Sequence, residues 1–351
     1  MQTLSKEESQ QASDQKLNKI VWLNVLCCSL GWSLTWFAIA FDIAQKPASF
    51  VGLPAASVAA LLAGMVMTRV ALYVAELFLI HVPTYLLVMR CGWADLKLIV
   101  GPRHRWSEAT VHYFETAYGE RRVKMVDAII RRSSHCLNNF LMQTWLIPWL
   151  CPGAGVKLVA QQLVAAAVCF PLIALLRTNG WLGATFFVGS RVRDGKHGRM
   201  NKLNVKAIAL ITFPVSTLIL HSFAQPTPND LKFLMMLTAQ PLLWGDALAE
   251  LVGSFLGRLE FKVSGVGEVN RKTVEGCVAC WLACFVAGWV VMSLHGFPLH
   301  RMHAQTPHGR ATVLVVQATM ATLAETFTFR SFDNVSIVFS SALTVSLFYR
   351  F

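Results

Sequence analysis

Apolar residues in this chain come in long unbroken blocks, not in narrow stripes. Blocks with almost no charge lie at about 20–42, 136–151, 155–176, 207–223, 231–253, 275–294, 311–326 and 335–351. An amphipathic surface helix would repeat its apolar positions every three or four residues. Unbroken apolar length predicts helices that cross a ~30 Å hydrocarbon core. The stretch at about 52–90 exceeds one crossing; Arg69 lies near its middle and Glu76 and Pro83 in its second half. The pattern predicts an all-α protein, a polytopic transmembrane helical bundle of roughly seven to nine spans.

The polar segments between the blocks give the organisation. Residues 1–18 form a polar tail of mixed charge, with Glu7, Glu8 and Asp14, unlike a secretory signal or an Arg-rich transit peptide. Residues 19–92 hold the N-terminal transmembrane segments. Residues 93–135 form a basic segment, helical over about 107–134 and interfacial or cytosolic, with Ser107 and Glu108 at the helix start. Residues 136–351 form the expected catalytic transmembrane domain. The basic loops 93–135, 177–206 and 257–273 fall on one side of the membrane if a hairpin of two spans separates each pair. The loops 224–230 and 295–310 fall on the other. This is the positive-inside pattern; it places the basic loops in the cytosol, with the endoplasmic reticulum as the expected membrane.

Composition agrees. The chain is 55% hydrophobic and 14% charged, where a soluble domain carries about 25% charged residues. The net charge of +12 resides in the loops, so anionic lipid heads or a nucleotide are the expected partners, not nucleic acid. Cys27, Cys28, Cys169, Cys277, Cys280 and Cys284 fall inside apolar blocks. Cys277-x-x-Cys280 has no second Cys/His pair beside it, which favours helix packing over a metal or redox site.

The densest chemistry lies in residues 245–276. Asp246 and Glu250 are spaced i, i+4, so a helix presents both carboxylates on one face. Two such acids suit Mg²⁺, which takes carboxylate oxygens together with a substrate's phosphates. The competing reading is a pair of acids neutralised by Arg or Lys from a neighbouring helix. Gly253 and Gly257 form G-x-x-x-G, a helix-packing signal. Arg258, Lys262, Arg271 and Lys272 follow, and Arg271-Lys272-Thr273 precedes the next apolar helix, whose N-terminus favours anions. Gly265-x-Gly267 is neither a Walker nor a Rossmann fingerprint.

With these residues in view, the chain resembles the CTP-dependent lipid kinases: dolichol kinase, phytol and farnesol kinases, and the yeast-type CTP-dependent diacylglycerol kinase. The resemblance lies in Gly245-Asp246-Ala-x-Ala with Gly253, Gly257 and Arg258, then Asn270-Arg-Lys-Thr-Val-Glu-Gly276. Arg131-Arg132-Ser-Ser-His135 and the segment from Glu325 to Asp333-Asn334 add to it. The first 120 or so residues lie outside it. Related phosphatidate cytidylyltransferases share the Gly-Asp and Lys-Thr-x-Glu-Gly blocks but end in a His-Gly-Gly…Asp-Arg-x-Asp signature that this chain lacks.

The resemblance implies transfer of the γ-phosphoryl of CTP to a lipid alcohol. It implies Mg²⁺ on Asp246 and Glu250, and nucleotide contacts from Arg258, Asn270, Arg271, Lys272 and Thr273. Asp246, Lys272, Glu325 and Asp333 are the expected catalytic residues. Glu325 or Asp333 would take the hydroxyl proton, while Arg132, His135 and Asn334 would contact phosphate or substrate. A CDP-lipid synthase is the alternative within the same chemistry. From another class, a transporter or scaffold would use Asp246, Glu250 and Glu325 as an ion path.

Overall fold

The computed structural model describes residues 74–75, 77–93, 98, 108–141, 212, 214–263, 270–294, 307–328 and 333–350. The N-terminal tail, the expected spans before residue 74 and at 155–176, and the basic loop 177–206 lie outside the described residues.

The described part is mostly helical, as the apolar blocks predict. A wide turn, Leu77–His81, leads into α1 (Val82–Arg90). Helices α2 (Glu108–Tyr118) and α3 (Glu120–Leu141) are separated at Gly119, whose φ of 87° is left-handed and suits glycine. The single helix expected over 107–134 is therefore two, and the second continues past His135. Val88, Val111, Phe114, Val123, Val126 and Ile130 bury a small core among these three helices.

The second group begins with a helical segment that ends in a wide turn, Leu220–Ala224, and continues with α4 (Pro228–Gln240). Thr227 caps it by accepting from the Asp230 backbone N–H at 3.3 Å. Pro228 fills the first turn, where its missing N–H costs nothing, and Asp230 adds favourable charge. A wide turn, Pro241–Gly245, follows without a break and leads into α5 (Asp246–Phe255). Pro241 offers no N–H to the Leu237 carbonyl, and that carbonyl instead accepts from Gln317 Nε2 at 3.0 Å.

Residues 257–273, expected as a polar loop, contain an antiparallel hairpin of β1 (Glu260–Val263) and β2 (Asn270–Thr273). Its sequence signal is the alternation Glu260, Phe261, Lys262, Val263. Then come α6 (Val274–Leu294), α7 (Pro307–Phe327) and α8 (Asp333–Arg350). Their limits follow the apolar blocks at 275–294, 311–326 and 335–351. Helices α4, α6, α7 and α8 share a core of Leu231, Leu234, Leu237, Met292, Leu314 and Val345. Among the described residues, Val274–Ser293 is the stretch long and apolar enough to cross a membrane.

Candidate functional site

The packing of α3 against α5 brings the first two polar motifs together. Arg132 donates from both terminal nitrogens to Asp246, with Nη2 2.7 Å from Oδ1. Its Nε lies 2.5 Å from Glu250 Oε2. Arg131 also pairs with Glu250. Asp246, Arg131 and Arg132 are all buried. The i, i+4 spacing thus presents both carboxylates to one guanidinium, which is the ion-paired arrangement weighed above as the competitor to a metal site. Charges buried this deeply persist only when paired, because desolvation costs several kcal/mol per ion.

A second pair closes the cluster. Lys272, at the end of β2, pairs with Glu325 near the end of α7. Asp246 lies within Coulombic reach of both Lys272 and Glu325. Three cations (Arg131, Arg132, Lys272) therefore balance three carboxylates (Asp246, Glu250, Glu325) drawn from α3, α5, β2 and α7. Asp333, the first residue of α8, also lies within Coulombic reach of Glu325. Its Oδ1 accepts from the Asn334 backbone N–H at 3.0 Å.

The strand pleat decides which basic residues join the cluster. Lys272 is registered with Phe261, and Arg271 with Lys262. Successive strand residues face opposite sides, so Lys272 turns inward to Glu325 while Arg271 turns outward. Arg271 is 65% exposed and lies 3.3 Å from Glu260. Arg258 is exposed, and its backbone N–H donates to Glu275 at 3.0 Å. Neither joins the buried cluster in this structure. His135 lies one helical turn beyond Arg132 on α3 and is half-buried. The backbone of Asn270 pairs with Val263 in the hairpin.

Thr273 has a structural task. Its hydroxyl accepts from the Gly276 N–H at 3.1 Å and so caps α6. It also fills the narrow contact between α5 and α6. A Cβ added at Gly253 or at Gly276 would lie 2.9 Å from Thr273 Oγ1. Gly253 and Gly276 are therefore close-approach glycines, and the hydroxyl expected on the nucleotide is engaged by the helix.

The donor set suits a divalent cation that shares its coordination with phosphates. One guanidinium already reaches both Asp246 and Glu250, so a single cation can lie between them. Among the described residues, no group of three or more His, Cys, Asp or Glu side chains is arranged as a metal site.

Sequence reasoning gave no separate role to Arg131 and did not single out Gln317. Arg131 had a signal in its adjacency to Arg132. Gln317 had one in being an amide inside an apolar block. No family model matches the chain, and no curated protein or solved structure matches it either.

Proposed function

We propose that this protein is a membrane-embedded phosphotransferase that moves the γ-phosphoryl of CTP to the hydroxyl of a lipid alcohol. The acceptor is a polyprenol, an isoprenoid alcohol of the dolichol or phytol type, or diacylglycerol. The carrying observation is the convergence of Arg131, Arg132, Asp246, Glu250, Lys272 and Glu325 from segments far apart in sequence into one largely buried, charge-balanced cluster. In this reading seven to nine helices cross the membrane, the endoplasmic reticulum is the expected location, and the cluster opens to the cytosol.

Phosphoryl transfer needs positioning and charge neutralisation more than covalent chemistry. A triphosphate entering the cluster offers Arg131, Arg132 and Lys272 new anionic partners. The guanidinium groups then exchange Asp246 and Glu250 for phosphate oxygens, which accept the Arg fork in the same geometry. Asp246 and Glu250, so released, would hold Mg²⁺, which would supply neutralisation of phosphate charge. Lys272 releases Glu325 as it turns to the γ-phosphate. Glu325 then takes the proton of the lipid hydroxyl. The hydroxyl oxygen bonds to the γ-phosphorus, the bond from that phosphorus to the β,γ-bridging oxygen breaks, and CDP leaves.

Purified protein, γ-labelled CTP and a panel of lipid alcohols test this directly. Label should appear in a lipid monophosphate, and chelation of divalent cations should abolish the transfer. No labelled lipid from any alcohol in the panel would defeat the reading.

A further inference from the structure

The outward face of the hairpin has no part in the buried cluster, yet it combines two features. It is basic, with Arg258, Lys262 and Arg271 exposed. Arg121, exposed on α3, adds to it by donating from Nη2 to the Phe255 carbonyl at 3.1 Å, which ties the start of α3 to the end of α5. The same rim exposes two large aliphatic side chains, Leu256 and Leu259, each 64% exposed. Glu260, beside Arg271, and Glu275, on the Arg258 and Leu259 amides, are the acids the structure pairs with this face.

The depth of this face follows from one hydrogen bond. The Val274 N–H donates to the Leu259 carbonyl at 3.0 Å. Val274 is the first residue of the stretch that is long and apolar enough to cross a membrane. Leu259 therefore lies level with the end of that helix. If α6 spans the bilayer, the exposed leucines and cations lie at the boundary of acyl chains and headgroups. Cations over inserted aliphatic side chains are the chemistry of an anionic lipid surface.

We propose that the hairpin rim, with Arg258, Lys262 and Arg271 around Leu256 and Leu259, docks on anionic lipid headgroups at the bilayer surface. The inference rests on the membrane reading above but not on the reaction assigned to the buried cluster. It gives Arg271 and Lys272 separate tasks: the outward residue meets lipid, and the inward one pairs with Glu325.

The test uses the full chain in non-ionic detergent with equal amounts of phosphatidylserine and phosphatidylcholine, retained lipid being read by native mass spectrometry. The wild type should favour phosphatidylserine, and the triple variant Arg258→Gln, Lys262→Gln, Arg271→Gln should lower that preference on the order of tenfold. The pair Leu256→Ser and Leu259→Ser should reduce retention of both lipids. The proposal is overturned if the wild type shows no preference, if the triple variant keeps it, or if CTP strips the phosphatidylserine, which would assign the cations to nucleotide. Alkaline extraction of membranes separates the two readings. A chain that stays in the pellet without lipid preference defeats this inference alone, whereas a chain that is extracted defeats the membrane reading as well.

Discussion

Gln317 bonds the Leu237 carbonyl, the carbonyl that a proline four residues further on leaves without its α-helical donor. Pro241 cannot donate to the Leu237 carbonyl, and Gln317 Nε2 supplies the bond at 3.0 Å while also reaching Ser341 Oγ at 2.6 Å. Gln317 is 2% exposed and Ser341 is fully buried, so water cannot replace these bonds. The contact locks α4 to α7 and α8, and the widened turn it accompanies ends at Asp246, the first residue of α5.

Gln317→Leu should therefore cost about 1–3 kcal/mol, the penalty for an unsatisfied buried carbonyl. Pro241→Ala restores an N–H at the vacant position, so the double variant should lose less stability than the two single variants summed. Thermal unfolding of the four proteins in one detergent gives the coupling. Simple additivity would show that the proline and the amide are unrelated.

Arg132→Ala should destabilise the protein by about 3–5 kcal/mol, because it leaves buried Asp246 without its principal partner. Asp246→Asn combined with Arg132→Met removes both charges and should recover much of that loss. The same double variant should have no phosphotransfer activity. Stability recovering without activity would separate the structural role of the pair from its functional one.

Neighbouring cations in β2 should behave differently. Lys272→Ala should lower the rate of transfer from CTP by about 100- to 1,000-fold, as expected for a group that stabilises transition-state charge. Arg271→Ala, on the outer face, should cost far less in the same assay. Equal losses would mean that the pleat does not separate their roles.

Gly253→Ala would place a Cβ 2.9 Å from Thr273 Oγ1, and overpacking of this kind costs about 1–3 kcal/mol. Thr273→Ala removes the obstructing hydroxyl but also the cap of α6, worth about 0.5–2 kcal/mol. The double variant should therefore be less destabilised than the sum. A denaturation series on the single and double variants measures that interaction.

The positions of α6, α7 and α8 were legible from apolar length alone, because an uninterrupted apolar block of that length has few stable forms besides a helix. The start of α4 was less so: the block at 231–253 begins after Thr227, Pro228 and Asp230, which carry the cap. The hairpin was written in the alternation of Glu260 through Val263, but a four-residue strand carries too little periodicity to stand out within a polar loop.

Sequence spacing alone placed Asp246 and Glu250 on one helix face and set a metal ion against an ion pair as the occupant. It did not say which cation would meet them, because Arg132 lies 114 residues away from Asp246 along the chain. The packing of α3 on α5 decided that, and the hairpin register decided that Lys272, not Arg271, turns inward to Glu325. The physical reason is common to both. Helix period and strand alternation are local and follow from backbone geometry, whereas the partner of a buried charge is set by which elements pack together, and there the cost of leaving a charge unpaired selects the arrangement.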